Sequence, residues 1–164
     1  MGQMDNFALK CVALRPDFEF HGISLRLLSL NWWEIFGGRL TSLFLYKCDI
    51  DEKTLADIIL HCSNLTTLSI RPYMTRTYSE DFLDDLIAEK VEQKNLQSLT
   101  LYAIVVSDEW CQKLFIIYPN IQTLSKERTI VKGMEFPPLL ENFTYWIKSS
   151  SSWMVSVYED TKLK

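Results

Sequence analysis

The sequence predicts an α/β solenoid, a curved stack of strand–turn–helix units with a parallel sheet on its concave face. Three observations predict it. Segments beginning at Leu40, Leu65, Leu96 and Ile121 superimpose on one another, at spacings of 25, 31 and 25 residues. Each full segment changes hydrophobic period in the same order, from the two of a strand to the 3.6 of a helix. With 164 residues, 48% apolar and 23% charged, the chain is long enough for one self-sufficient core and has ordinary globular composition. A single repeat domain over 1–148 is expected, with a flexible or appended tail over 149–164.

Taken in order, residues 1–39 carry only traces of the pattern. Phe7, Leu9, Val12 and Leu14, then Phe18 and Phe20 around Arg15-Pro16-Asp17, read as one or two degenerate strand units that cap the stack. Trp32 and Trp33 are expected to help cap the first complete repeat, because terminal repeats are atypical. The competing reading makes one of them an exposed anchor for a partner. Gly37-Gly38 reads as a helix end.

The clear repeats occupy 40–124. The first runs Leu40-x-x-Leu43-x-Leu45 and then Leu55, Ile58, Ile59 and Cys62, which fall at i, i+3, i+4 and i+7 of one helical stripe. The second runs Leu65-x-x-Leu68-x-Ile70, then Leu83, Leu86 and Ile87. The third runs Leu96-x-x-Leu99-x-Leu101, then Cys111, Leu114, Phe115 and Tyr118, and matches the first at a constant offset of 56. Asp51, Ser79 and Ser107 stand just upstream of the three stripes, where helix N-caps belong. Residues 125–148 are expected to form a last unit, with one strand within Phe136–Tyr145. Ser149 to Ser152 read as flexible, and Trp153–Lys164 as either an appended strand or a loose tail.

One such unit cannot cover its own apolar face, so neighbours must stack, strands inside and helices outside. The 25-residue spacing falls within the period of leucine-rich repeats. The pattern L-x-x-L-x-L-x-x-C-x-I followed by L-x-x-I-I-x-x-C-x-x-L, with Cys48 and Cys62 at its two cysteine positions, resembles the cysteine-containing leucine-rich repeats of F-box/LRR proteins. Trp32-Trp33-Glu34-Ile35-Phe36-Gly37-Gly38-Arg39-Leu40 is similar to the lead-in to such repeats. The resemblance is close over Trp32–Leu68 and Leu96–Leu124. It implies a substrate-binding repeat region in a receptor for a cullin–RING ubiquitin ligase. No F-box pattern precedes Trp32, so a Skp-type adaptor is implied as a partner only if an F-box lies outside this chain. A leucine-rich-repeat scaffold or assembly protein with no ubiquitin role is the alternative. Tyr73 is expected at the cysteine position of the second repeat, beyond a strand that Arg71-Pro72 interrupts, since proline cannot donate to a ladder. The extra residues from Tyr73 to Ser79 would then project as a longer loop. Ile104 and Tyr118 take the cysteine positions of the third repeat.

Other functions fit less well. A net charge of −4 and the lack of a basic block argue against nucleic acid as the partner. No apolar run reaches the roughly 18 to 20 residues of a membrane span. The N-terminal residues lack a signal-peptide pattern, so a cytoplasmic or nuclear location is expected. The sequons at Asn64 and Asn142 are then chance matches. His61 and Cys62 are adjacent and diverge around a helix, and no C-x2-4-C or H-x3-5-H spacing accompanies them, so no metal is expected. Three of the four cysteines fall at core positions of a repeat, and only His21 and His61 could serve as a base, so a thiol nucleophile is not expected. Asp84 and Asp85 read as the solvated side of a helix rather than an acid–base pair. Neither a cofactor nor an enzymatic activity is expected.

A protein-binding surface is the remaining expectation. Residues between the strand leucines point to the concave face. Tyr46, Arg71 and Tyr102 are expected in one row, with Lys47 beside them. Phe44, Ser69, Thr100 and Ser125 form the next row. Exposed Tyr, Phe and Arg suit a protein partner.

Overall fold

A computed structural model describes residues 17–25, 30–79, 81–127, 138–148 and 153–158. In chain order its elements begin with β1 (Asp17–His21), α1 (Leu30–Phe36), a 3-10 turn (Gly37–Arg39), β2 (Ser42–Cys48) and α2 (Glu52–His61). Next come β3 (Thr67–Pro72), β4 (Arg76–Thr77), α3 (Asp81–Ala88), β5 (Ser98–Leu101), β6 (Ile104–Val105) and α4 (Asp108–Ile117). β7 (Thr123–Glu127), β8 (Asn142–Lys148) and β9 (Trp153–Tyr158) are the last of the described elements. The fold is α/β, with a mostly parallel sheet in the order β1-β2-β3-β5-β7-β8-β9 and a separate pair, β4-β6. Only β9 joins its neighbour antiparallel.

The strand register follows the sequence repeat. Leu43 lies beside Leu68, Leu68 beside Leu99, and Leu99 beside Leu124, so strands pair at the same 25, 31 and 25 spacings. β1 extends the series, because Phe18 and Phe20 pair with Leu43 and Leu45, again 25 residues on. Alternation does the rest: in β3 and β5, and in β2 as far as Tyr46, every second side chain is buried. Leu68, Ile70, Leu99 and Leu101 meet Leu55, Ile59, Leu114 and Tyr118 from α2 and α4 around one small apolar void. The helices therefore cover one face of the sheet, and consecutive helices pack side by side. Among the described residues no helix covers the opposite face.

The two shorter repeats share more than leucines. Asp51 accepts from the Thr54 amide at 2.8 Å and Ser107 from the Trp110 amide at 2.9 Å, so both N-caps form as the sequence predicts. The cap residues Cys62 and Tyr118, also 56 apart, donate their backbone N–H to Ile58 and Leu114. Lys47 (φ 52°) and Ala103 (φ 57°), again 56 apart, take the left-handed conformation that turns the chain before buried Cys48 and Ile104. Asn64, Asn95 and Asn120 each precede the first apolar residue of a repeat. Their side-chain amides donate to the carbonyls of Gly38 (2.6 Å), Ser63 (2.9 Å) and Lys94 (2.8 Å), one turn back. Asn64 is thus a structural donor as well as the head of a sequon.

The middle repeat differs from its sequence reading. Pro72, not Tyr73, pairs with Cys48, and β3 runs through Pro72 as its last, buried residue. A terminal proline costs the ladder little, because no further pair follows. Tyr73 is instead 75% exposed. The segment does not project as a whole either. Arg76 and Thr77 pair with Ile104 and Val105, and buried Tyr78 donates its hydroxyl to the Ile50 carbonyl at 3.2 Å. That register divides the six extra residues into two triplets. Three enter between Arg71 and Arg76, where the offset from the first repeat rises from 25 to 28. Three more follow α3, where it rises to 31. At the second insertion buried Gln93 spans the gap. Its side-chain amide donates to Ile59 O and its backbone N–H to Ile117 O, each at 2.7 Å. Ser79 donates its own N–H to Glu52 at 2.6 Å, and α3 is described from Asp81.

The ends carry caps. Trp32 and Trp33 are buried, 2% and 1% exposed, in a ring cluster with Phe18, Phe20 and Phe36, so neither is an exposed anchor. Gly37 follows where α1 ends, and a Cβ there would sit 2.8 Å from the His61 carbonyl oxygen, a packing only glycine permits. At the other end β8 pairs in parallel with β7 and β9 with β8, so Trp153–Tyr158 is an appended strand rather than a loose tail. Phe7 to Leu14 and Ser149 to Ser152 lie outside the described residues. Among the described residues no helix is long and apolar enough to cross a membrane.

Candidate functional site

The open face of the sheet is built by the same alternation that buries the leucines. Glu19, Phe44, Ser69, Thr100 and Ser125 face each other across five strands, as the sequence predicts for the last four. One step further along, His21 pairs with Tyr46 and Tyr46 with Arg71, while the Tyr102 amide bonds to Ile70 O. His21 and Tyr46 stack at 6.3 Å with 18° between their rings. The Arg71 guanidinium lies 4.3 Å above the Tyr102 ring. The structure therefore brings Tyr46, Arg71 and Tyr102 into one row and adds His21.

Lys47 leaves that row. Its positive φ coincides with the register shift between Tyr46 and Cys48, so strict alternation stops there. Lys47 is exposed at the rim of a hollow at the C-terminal ends of the strands. Gly22, Ile23, Ser24, Asp49, Tyr73, Met74 and Arg76 complete this hollow, whose volume is about 250 Å³. Within it Asp49 accepts from the Arg76 guanidinium and from Ser24 Oγ at 3.4 Å. Tyr73 and Met74, 75% and 66% exposed, stand at its edge. A second hollow of about 360 Å³ lies beyond Arg76, against Asp51 and Glu52 at the start of α2.

The chemistry of these groups suits binding. Cys48, Cys62 and Cys111 are buried. Burial raises the Cys48 thiol and pushes Cys62 up to about 12, so both stay protonated and un-nucleophilic at neutral pH. Cys48 donates to Phe20 O and Tyr46 O, at 3.4 and 3.3 Å, and so acts as a small core residue that ties neighbouring strands. Among the described residues no three His, Cys, Asp or Glu side chains converge as metal ligands. Asp84 and Asp85 lie on the exposed side of α3, where Asp84 pairs with Lys113 at 2.8 Å.

Sequence reasoning missed His21, Tyr73, Met74 and Arg76. His21 was findable, because it stands 25 residues before Tyr46. Tyr73 and Met74 sit in the inserted segment and Arg76 directly after it, where repeat spacing alone carries no placement. No protein-family model, curated protein or solved structure matches the chain.

Proposed function

We propose that the chain is a leucine-rich-repeat solenoid whose open sheet face recognises a protein. In this reading it is the substrate-binding repeat region of an F-box/LRR-type receptor for a cullin–RING ubiquitin ligase. The row His21–Tyr46–Arg71–Tyr102, held on four successive repeats, carries the recognition role. It offers aromatic rings and a guanidinium at one strand spacing after another, the residue types that dominate protein interfaces. The identical offsets in leucines, caps and turns support the solenoid, since each unit then rests on its neighbours. The ligase connection rests on the cysteine-containing repeat pattern at Cys48 and Cys62.

A photo-crosslinking residue placed at Tyr102 tests the recognition role, with the same residue at exposed Glu89 on the helix side as control. The expected result is a discrete protein adduct from position 102 that Arg71→Glu abolishes. Equal adducts from both positions would remove the sheet face as the binding surface. Absence of a Skp-type adaptor and a cullin from complexes of the intact protein would remove the ligase role and leave the scaffold reading.

A further inference from the structure

The hollow at the strand ends has a volume of about 250 Å³, below the roughly 300–1,000 Å³ of pockets that enclose a small-molecule ligand. It suits a single side chain. Its edge is apolar, with Tyr73 and Met74 exposed on the inserted triplet and Ile23 behind them. Its flanks are cationic. Lys47 is exposed on the rim, and Arg71 is exposed one strand over. Neither forms an ion pair among the described residues. The Arg71 guanidinium carbon lies 4.3 Å from the Tyr102 ring centroid, a contact that leaves its charge uncancelled, and a guanidinium suits a carboxylate. The one acid lining the hollow, Asp49, already faces Arg76. Asp17 begins β1 and Glu19 stands at its middle, in register with Ser42 and Phe44 rather than with Tyr46. Over β1 to β3 the open face is therefore polarised, with acids along β1 and Lys47 and Arg71 at the ends of β2 and β3, in a chain of net charge −4. Glu127 closes β7 two strands beyond Arg71.

We propose that this hollow and the adjoining row receive an extended acidic segment of a protein partner. One apolar side chain of the segment seats against Tyr73 and Met74, and flanking carboxylates pair with Lys47 and Arg71. The inference rests on the reading that the sheet face binds a protein, and it names the chemistry of that partner. Charge complementarity steers the segment to the strand ends and away from Asp17 and Glu19. The apolar contact fixes where along the row it stops.

Fluorescence anisotropy on the full chain tests this with two labelled probes, the peptide Glu-Asp-Leu-Glu-Asp-Leu-Glu and its counterpart with every acid replaced by Lys. The acidic probe is expected to bind at least about tenfold more tightly than the basic one, and to weaken as salt rises. The double variant Lys47→Glu/Arg71→Glu should lose at least about tenfold in affinity for it. Met74→Ser should weaken it by a smaller factor while leaving the salt dependence unchanged. Lys94→Glu, on a helix-to-strand turn away from the row, should have no effect. Circular dichroism of each variant establishes that the fold is kept. Equal binding of both probes, no binding of the acidic probe at millimolar concentration, or full affinity in the double variant would overturn the inference. If the acidic probe fails while the Tyr102 adduct still forms, the acidic segment alone is removed and the recognition face stands. If the adduct fails as well, both fall.

Discussion

The two 25-residue repeats and the 31-residue repeat between them solve the same packing problem with different freedom. In the repeats that begin at Leu40 and Leu96, cap, turn and helix end recur 56 residues apart, at Asp51 and Ser107, Lys47 and Ala103, Cys62 and Tyr118. The middle repeat keeps the leucine ladder but admits a triplet of residues at each end of its helix. The first triplet places Tyr73 and Met74 in solvent beside the hollow. The second is closed by Gln93, whose bonds go to the repeats on either side rather than to its own. The leucine ladder thus stays regular, while the first irregularity lies at the surface and exposes Tyr73 and Met74. Stacked strand–helix units permit this division, because each packs mainly on the units beside it.

The comparison breaks most severely in the shared ladder. Leu45→Ala and Leu101→Ala remove fully buried side chains from equivalent positions of the two short repeats, and each should cost about 2–5 kcal/mol. Urea titration of both variants checks whether their costs agree, as equivalent positions require. Gln93→Ala attacks the middle repeat instead. It strands the buried Ile59 carbonyl while keeping the backbone bond to Ile117, and should cost about 1–3 kcal/mol, felt first at the end of α2. Amide exchange near the ends of α2 and α4 reads this, since the α2 end should open more than the α4 end.

These cases also mark what was legible in the sequence. Leu43, Leu68, Leu99 and Leu124 announce their register because burial on a strand enforces period two and stacking enforces a constant spacing. Asp51 and Ser107 announce caps because the stripe that follows each begins at once. The Asn64, Asn95 and Asn120 bonds were equally periodic, yet polar residues at a turn carry no burial signal to single them out. The division of the insertion into triplets was hidden for another reason. Leu83 at an offset of 28 and Leu96 at 31 bound it, but only the pairing of Arg76 with Ile104 says where the first triplet enters. Tyr73 and Pro72 were exchanged for the same cause: spacing places residues only where nothing is inserted.

Smaller effects sharpen the equivalence. Asp51→Ala and Ser107→Ala each remove one capping acceptor and should cost about 1 kcal/mol apiece. Asp51 is expected to cost the more, since it also holds the Thr54 hydroxyl at 2.6 Å. Alkaline titration samples both kinds of repeat together. Burial pushes Cys62 of the first repeat and Tyr78 of the middle one up to about 12, from 9.0 and 10.0. Folded pKa values above the unfolded ones mean that the native state retains protons the unfolded chain releases. Their contribution to stability is therefore expected to be level below pH 9 and to fall as pH rises from about 9 towards 12. Tyr78→Phe should shallow that fall above pH 10 while leaving the Cys62 contribution in place. Denaturation at a series of alkaline pH values separates the two.

The smallest effect on stability is expected from a change that removes the apolar edge of the hollow. Deleting Pro72, Tyr73 and Met74 would set Thr75 between Arg71 and Arg76, the place that Lys47 and Ala103 hold in the short repeats. The middle repeat would then share their turn. Two terms oppose each other. Thr75 would have to adopt a positive φ, at roughly 1–3 kcal/mol for a β-branched residue. Against this, exposed Tyr73 and Met74 contribute little to the core, and Pro72 pairs only as the last residue of its strand. Supplying Gly at position 75 in the same deletion removes the strain, and stability should then return to within about 1 kcal/mol of the parent. The hollow would lose its apolar edge while Lys47, Arg71 and Tyr102 remain. Binding of the acidic probe should survive in its salt-dependent part and lose the discrimination that Leu provides. A shortened chain that unfolds outright would instead place the triplet within the core architecture, and the division between regular core and irregular surface would not hold.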